Sequence, residues 1–113
     1  MRGLETTEQE SNPWIVTASR EIREIQRRWG VGSYRQLSDL IHINRRTLAK
    51  LNPKHPDGSL ELETLDRIYA TFLYLYPFYF AKEEQEEERR LLVESRIRIL
   101  MCMEVRREVL RGW

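Results

Sequence analysis

Ser33-Tyr34-Arg35-Gln36-Leu37-Ser38-Asp39-Leu40-Ile41-His42-Ile43-Asn44-Arg45-Arg46-Thr47-Leu48-Ala49-Lys50-Leu51 is the stretch that decides the fold of this chain. Ser33 followed three positions later by Gln36 has the form of a capping box, in which a hydroxyl and a carboxamide each satisfy a backbone N–H left free by the first helical turn. A short helix from Tyr34 to about Ile41 is predicted, with Leu37, Leu40 and Ile41 on its buried face. Asn44 is a second cap, opening a helix from Arg45 to about Leu51 that Pro53 stops. Leu37 and Ile41 from the first of these helices, Ile43 in the turn, and Leu48 and Leu51 from the second suit two helices crossing steeply over one small core. Ser38 is small where they come closest.

Upstream, Asn12 and Pro13 have the form of a cap and first helical residue. Ile15, Ala18, Ile22, Ile25 and Trp29 then recur at three- and four-residue steps, one apolar stripe that ends at Gly30. Arg20, Arg23, Arg27 and Arg28 lie off that stripe, toward water or a partner. Downstream, two prolines and a glycine make residues 52–58 a loop. A further helix is predicted from about Leu62 to Tyr76, with Leu62, Leu65, Ile68, Tyr69, Phe72 and Leu75 inward and Pro77 as its break. After Phe80 the chain turns acidic, Glu83 to Glu88, a solvated face by composition. From there one long helix is predicted. Leu92, Val93, Ile99, Leu100, Met103, Val109, Leu110 and Trp113 fall on one side of it, interrupted by Arg96 and Arg107. The division that follows is a frayed segment 1–11, a helical domain 12–80 and a C-terminal helix 81–113.

Charge is uneven. The net charge is only +1, yet residues 20–54 hold nine basic side chains against three acids, Glu21, Glu24 and Asp39. Local excess is what neutralises phosphates at a contact face. Cys102 is the only cysteine, so neither an internal disulfide nor a thiolate zinc site can form, and a reducing, cytoplasmic setting is expected. The N-terminal segment lacks a signal-peptide core, and the most apolar run, Tyr69 to Ala81, is shorter than the ~20 residues that span a bilayer. His42 and His55 have no partner at metal-ligand spacing. No glycine-rich phosphate loop, nucleophile elbow or metal cluster is present, which argues against an enzyme and against a cofactor.

Residues 34–51 resemble the Cro/lambda-repressor class of helix-turn-helix domains, the xenobiotic-response-element (XRE) family, and the likeness extends over roughly Ile22 to Leu75. Leu62-Glu63-Thr64-Leu65-Asp66-Arg67-Ile68 is similar to the family's fourth helix. Where the family usually has glycine at the turn, this chain has His42, a residue type that tolerates positive φ. Where the family has alanine, it has Ser38. The resemblance implies an all-α, lambda-repressor-like bundle of four helices, with the long C-terminal helix appended. It also implies a recognition helix whose Asn44, Arg45, Arg46, Ala49 and Lys50 face the major groove of double-stranded DNA, with Tyr34 near the backbone.

The residue chemistry agrees with that. Arginine can give guanine two parallel hydrogen bonds, so Arg45 and Arg46 are expected to read bases, while Arg35 and Lys50 suit phosphates. The expected function is a sequence-specific transcriptional regulator, a repressor by the resemblance, acting as a homodimer. Leu92, Ile99, Leu100, Met103, Leu110 and Trp113 are the candidate dimer or partner interface. The other arrangement folds this helix back over the aromatic face of its own chain. The alternative function is an adaptor or antitoxin that binds a partner protein through the C-terminal helix and the aromatic run Tyr69 to Phe80.

Overall fold

The helix boundaries follow from the residues that flank them. The computed structural model describes residues 13–52, 54 and 60–110, and side-chain surroundings for 14–52, 54 and 60–103. Helix α1 is Pro13–Trp29. It stops at Gly30, whose φ of 71° is the left-handed conformation that costs glycine nothing. The Val31 N–H donates to the Gln26 carbonyl at 2.9 Å and the Gly30 N–H to the Arg27 carbonyl at 3.3 Å, the two bonds of a Schellman ending. The cap at Asn12, the stop at Pro53 and the frayed 1–11 segment lie outside the described residues.

Helix α2 is Tyr34–Ile41. The Ser33 hydroxyl accepts from the Gln36 N–H at 3.2 Å. The Gln36 carboxamide reaches back as a capping box requires, but to the Gly32 N–H at 2.6 Å, one residue earlier than the motif specifies. α2 ends on His42, left-handed at φ 56° and ψ 41°, whose N–H donates to the Ser38 carbonyl at 2.8 Å. After Ile43 and Asn44 comes α3, Arg45–Leu48, and then a single 3-10 turn, Ala49–Leu51. The helix predicted to Leu51 therefore tightens after one turn, as short helical ends commonly do.

Helix α4 is Leu62–Tyr79, so Pro77 lies inside it rather than breaking it. Proline forfeits one N–H bond, and the end of α4 is held from outside instead. The Gln85 side chain donates to the Pro77 carbonyl at 3.2 Å and the Phe80 carbonyl at 3.0 Å. After the bend at Phe80 and Ala81, α5 runs Lys82–Leu110, about 43 Å at 1.5 Å per residue. All five helices are α-helical apart from the 3-10 turn, and the described residues contain no strand.

α5 packs along both α1 and α4 of its own chain. The pairs Thr17–Cys102, Glu21–Arg98 and Arg28–Glu88 step in opposite directions, so α1 and α5 are antiparallel. Asp66–Arg96 and Tyr69–Ser95 give the same sense for α4 and α5. One apolar core results. It takes Ala18, Ile22 and Ile25 from α1, Leu37, Ile41, Ile43, Leu48 and Leu51 from the α2–α3 region, and Leu65, Ile68, Tyr69 and Phe72 from α4.

Leu92 and Ile99 belong to that core and are fully buried within the chain. They are withdrawn from the candidate interface: a side chain already removed from water has no further apolar surface to offer a partner. Leu100 and Met103 are half-buried, and the side chains of Leu110 and Trp113 lie outside the described residues. Leu62, expected inward, is exposed, and Leu75 is only half-buried.

The face of α5 that meets the core is Glu88, Leu92, Ser95 and Ile99, half of it polar. Glu88 is 3% exposed. Its carboxylate accepts two parallel bonds from Arg28, both 2.9 Å, and a third from the Trp29 indole at 2.9 Å. A buried charge is tolerable when it is paired and hydrogen-bonded in this way. The Ser95 hydroxyl lies 2.5 Å from the Tyr69 hydroxyl. Arg98 joins α5 to α1 with two bonds to Glu21, 2.8 and 2.9 Å.

Candidate nucleic-acid interface

Two caps set the register of the candidate residues. Asn44 is extended at φ −54° and ψ 136°, and its side-chain oxygen accepts from the Arg46 N–H at 2.7 Å. That bond fixes where α3 begins. Leu48 and Leu51 then anchor the segment in the core, and helical geometry turns the residues between them and the cap outward. Asn44, Arg45 and Arg46 are exposed, and Ala49 and Lys50 are partly covered. Arg35, in the first turn of α2, is exposed as well. Among the described residues, Arg35, Arg45, Arg46 and Lys50 take part in none of the ion pairs. By contrast, Arg27, Arg28, Arg90, Arg96 and Arg98 are each bonded to a carboxylate.

Tyr34 is half-buried against the core. Burial pushes its phenol above the ordinary value of 10.0, against a smaller opposing influence from the charge of Arg23. It therefore stays a neutral hydrogen-bond donor at physiological pH. Tyr34 lines an open groove together with Arg23, Gln26, Arg27, Val31, Gly32 and Ser33. Arg23 and Arg27 are thus neighbours of the candidate site that residue-by-residue reading missed. The signals available were the basic excess of α1 and the position of both residues off its apolar stripe. Arg27 is bonded to Glu24 and Arg23 donates to the Ser19 hydroxyl at 3.2 Å. Either can be shared with an anion at the groove, because both remain exposed.

Arg28 is the counter-example. Its side chain is 18% exposed and its guanidinium is spent on Glu88. It is removed from the outward-facing basic set, and Glu88 from the solvated acidic face. The remaining acids of that run, Glu83, Glu84, Glu86 and Glu87, are exposed.

The described residues contain no group of three or more His, Cys, Asp or Glu side chains placed to hold a metal ion, and no helix long and apolar enough to cross a membrane. Searches of known proteins return no matching family model, no matching curated protein and no matching solved structure.

Proposed function

We propose that the chain is a sequence-specific DNA-binding regulator whose α2–α3 pair acts as a helix-turn-helix of the lambda-repressor kind, with α3 as the recognition helix. The observation that carries this reading is the exposure of Arg45 and Arg46 in the first turn of α3, in no ion pair among the described residues. Exposed guanidinium groups without an internal carboxylate retain their donors for guanine or phosphate. Arg35 and Lys50 supply phosphate contacts, and the Tyr34 groove extends the anchoring surface along α1. The left-handed His42 serves where the family places glycine, and it keeps the connection between the helices at three residues, His42 to Asn44.

One short recognition helix reads few base pairs, and paired copies place two such helices about 34 Å apart on the duplex. The reading therefore includes a homodimer. Its contact is the outward face of α5, where Ile97 and Met101 are exposed beside the half-buried Leu100 and Met103, in place of Leu92 and Ile99.

The test is duplex binding by alanine variants across a salt series. Arg45→Ala and Arg46→Ala should each remove about 1–3 kcal/mol of discrimination between the preferred and random duplexes. Arg35→Ala and Lys50→Ala should weaken both duplexes equally and reduce the salt slope by about one each. Undiminished discrimination in both Arg45→Ala and Arg46→Ala would overturn the assignment. A second reading, a protein-binding adaptor, is favoured by the exposure of Tyr74, Phe78 and Tyr79 together toward the end of α4, since exposed apolar patches often mark interaction sites.

A further inference from the structure

A crevice opens where α1 ends, α2 passes it and α4 finishes. It is lined by Trp29, Val31, Gln36, Asp39, Leu40 and Tyr79 and is an open depression of about 350 Å³. That is near the lower limit for a small-molecule pocket and suits a single side chain. Trp29 and Tyr79 form its aromatic wall, their ring centroids 5.5 Å apart and the planes inclined by 47°. Trp29 is locked from behind: its indole N–H is held by Glu88 at 2.9 Å, and its ring meets Phe72 and Phe80 edge-on at 4.9 and 5.3 Å. Asp39 is exposed and takes part in no ion pair among the described residues.

An aromatic face carries negative potential, and a cation within about 6 Å of the ring centroid is drawn to it. A free carboxylate on the same crevice adds to that attraction and repels phosphate. Of the basic residues of the DNA reading, Arg45, Arg46 and Lys50 lie on α3 and the turn after it and Arg23 and Arg27 on α1, outside the lining of the crevice, while Arg35 stands one turn before Asp39 on α2. We propose that this crevice receives an arginine side chain from a partner protein. The alkyl stem lies along Leu40 and Val31, and the guanidinium meets Trp29, Tyr79 and Asp39. Arginine fits better than lysine because its planar head stacks on rings and pairs with a carboxylate at once. The occupant belongs to a polypeptide because further exposed aromatic surface stands near the same end of α4. Phe78, next to Tyr79 in the chain, is 73% exposed and lies 6.1 Å from the exposed Tyr74 ring. A partner that presents arginine between apolar residues covers both features. The inference stands apart from the DNA reading, and its test involves no DNA.

The experiment is an NMR titration of the full chain, following the Trp29 indole N–H. The probes are a capped pentapeptide with arginine between two leucines and its counterpart with citrulline, the neutral isostere. The arginine peptide should give a saturable shift, with the citrulline peptide weaker by about five-fold or more, from the loss of one cation–π contact and one exposed ion pair. Asp39→Asn should weaken the arginine peptide by about two- to five-fold and leave the citrulline peptide unchanged. Equal binding of the two peptides, or no saturable shift with either, would overturn the proposal. So would N-acetylarginine amide binding as tightly as the arginine peptide, which would mark a site for small cations.

Discussion

Replacing Glu88 by glutamine tests how α5 is attached to the rest of the chain. The carboxylate is 3% exposed and accepts three bonds of 2.9 Å, two from Arg28 and one from Trp29. Glutamine keeps the shape but turns an NH2 group toward donors and leaves a guanidinium uncompensated. Breaking one side of a buried pair costs about 3–5 kcal/mol. Here the value should sit lower, because Arg28 is 18% exposed and has a second carboxylate, Glu24, at 3.9 Å. A loss of about 2–4 kcal/mol is expected, and with a urea slope of about 2 kcal/mol/M this lowers the midpoint by about 1–2 M. Urea unfolding at pH 7, followed by tryptophan fluorescence and helical circular dichroism, measures it. The double variant Arg28→Met, Glu88→Leu should regain part of the loss, since an apolar pair of similar volume is close to neutral at such a site, while the Trp29 N–H loses its acceptor. A change under about 1 kcal/mol for Glu88→Gln, or a double variant less stable than the single one, would refute this account of the α1–α5 contact.

Other outcomes follow from single features. His42→Gly should stabilise the fold by about 0.5–1 kcal/mol, because φ 56° strains an L residue, whereas His42→Val should destabilise it; thermal unfolding reads both. Burial acts most strongly on Glu21 and pushes its carboxyl up. The hydrogen bonds from Arg98 and Ser95 and the charges of Arg98 and Arg20 together outweigh that and hold it below its ordinary value of 4.5. A depressed carboxylate contributes stability above its unfolded pKa and loses it as pH falls through the folded one. The stability gap between wild type and Glu21→Gln should therefore be full above about pH 4.5 and close below it, as urea midpoints across an acid series would show. Tyr74→Ser and Phe78→Ser, at exposed positions, should change stability by no more than about 0.5 kcal/mol by the same unfolding assay.

Much of the architecture was legible because it rests on local chemistry. Gly30, Ser33 with Gln36, His42 and Asn44 each mark a boundary through a bond within a few residues, and all four act in the structure. Apolar periodicity found the buried faces of α1 and α2 for the same reason. The long-range parts were not legible. On α5 the buried face contains Glu88 and Ser95, which share a helical stripe with Leu92 and Ile99 but are polar residue types that composition assigns to solvent. Their burial depends on Arg28, Trp29 and Tyr69, residues 26 to 60 positions away. The extension of α4 past Pro77 depends in the same way on Gln85, which belongs to the next helix. Within the candidate interface, the outward direction of Arg45 and Arg46 followed from the Asn44 cap and Leu48. The groove that joins Tyr34 to Arg23 and Arg27 required the turn from Val31 to Ser33 to lie back beside the end of α1.

The most direct measurement of DNA recognition is selection of binding sites from a random duplex pool by the full chain at physiological salt. Enrichment of an inverted repeat, its half-sites about 10 base pairs apart centre to centre, is the predicted result, with Arg45→Ala and Arg46→Ala losing the enrichment. A pool that emerges without a shared sequence, or an enriched site that both variants select as well as wild type, would contradict it.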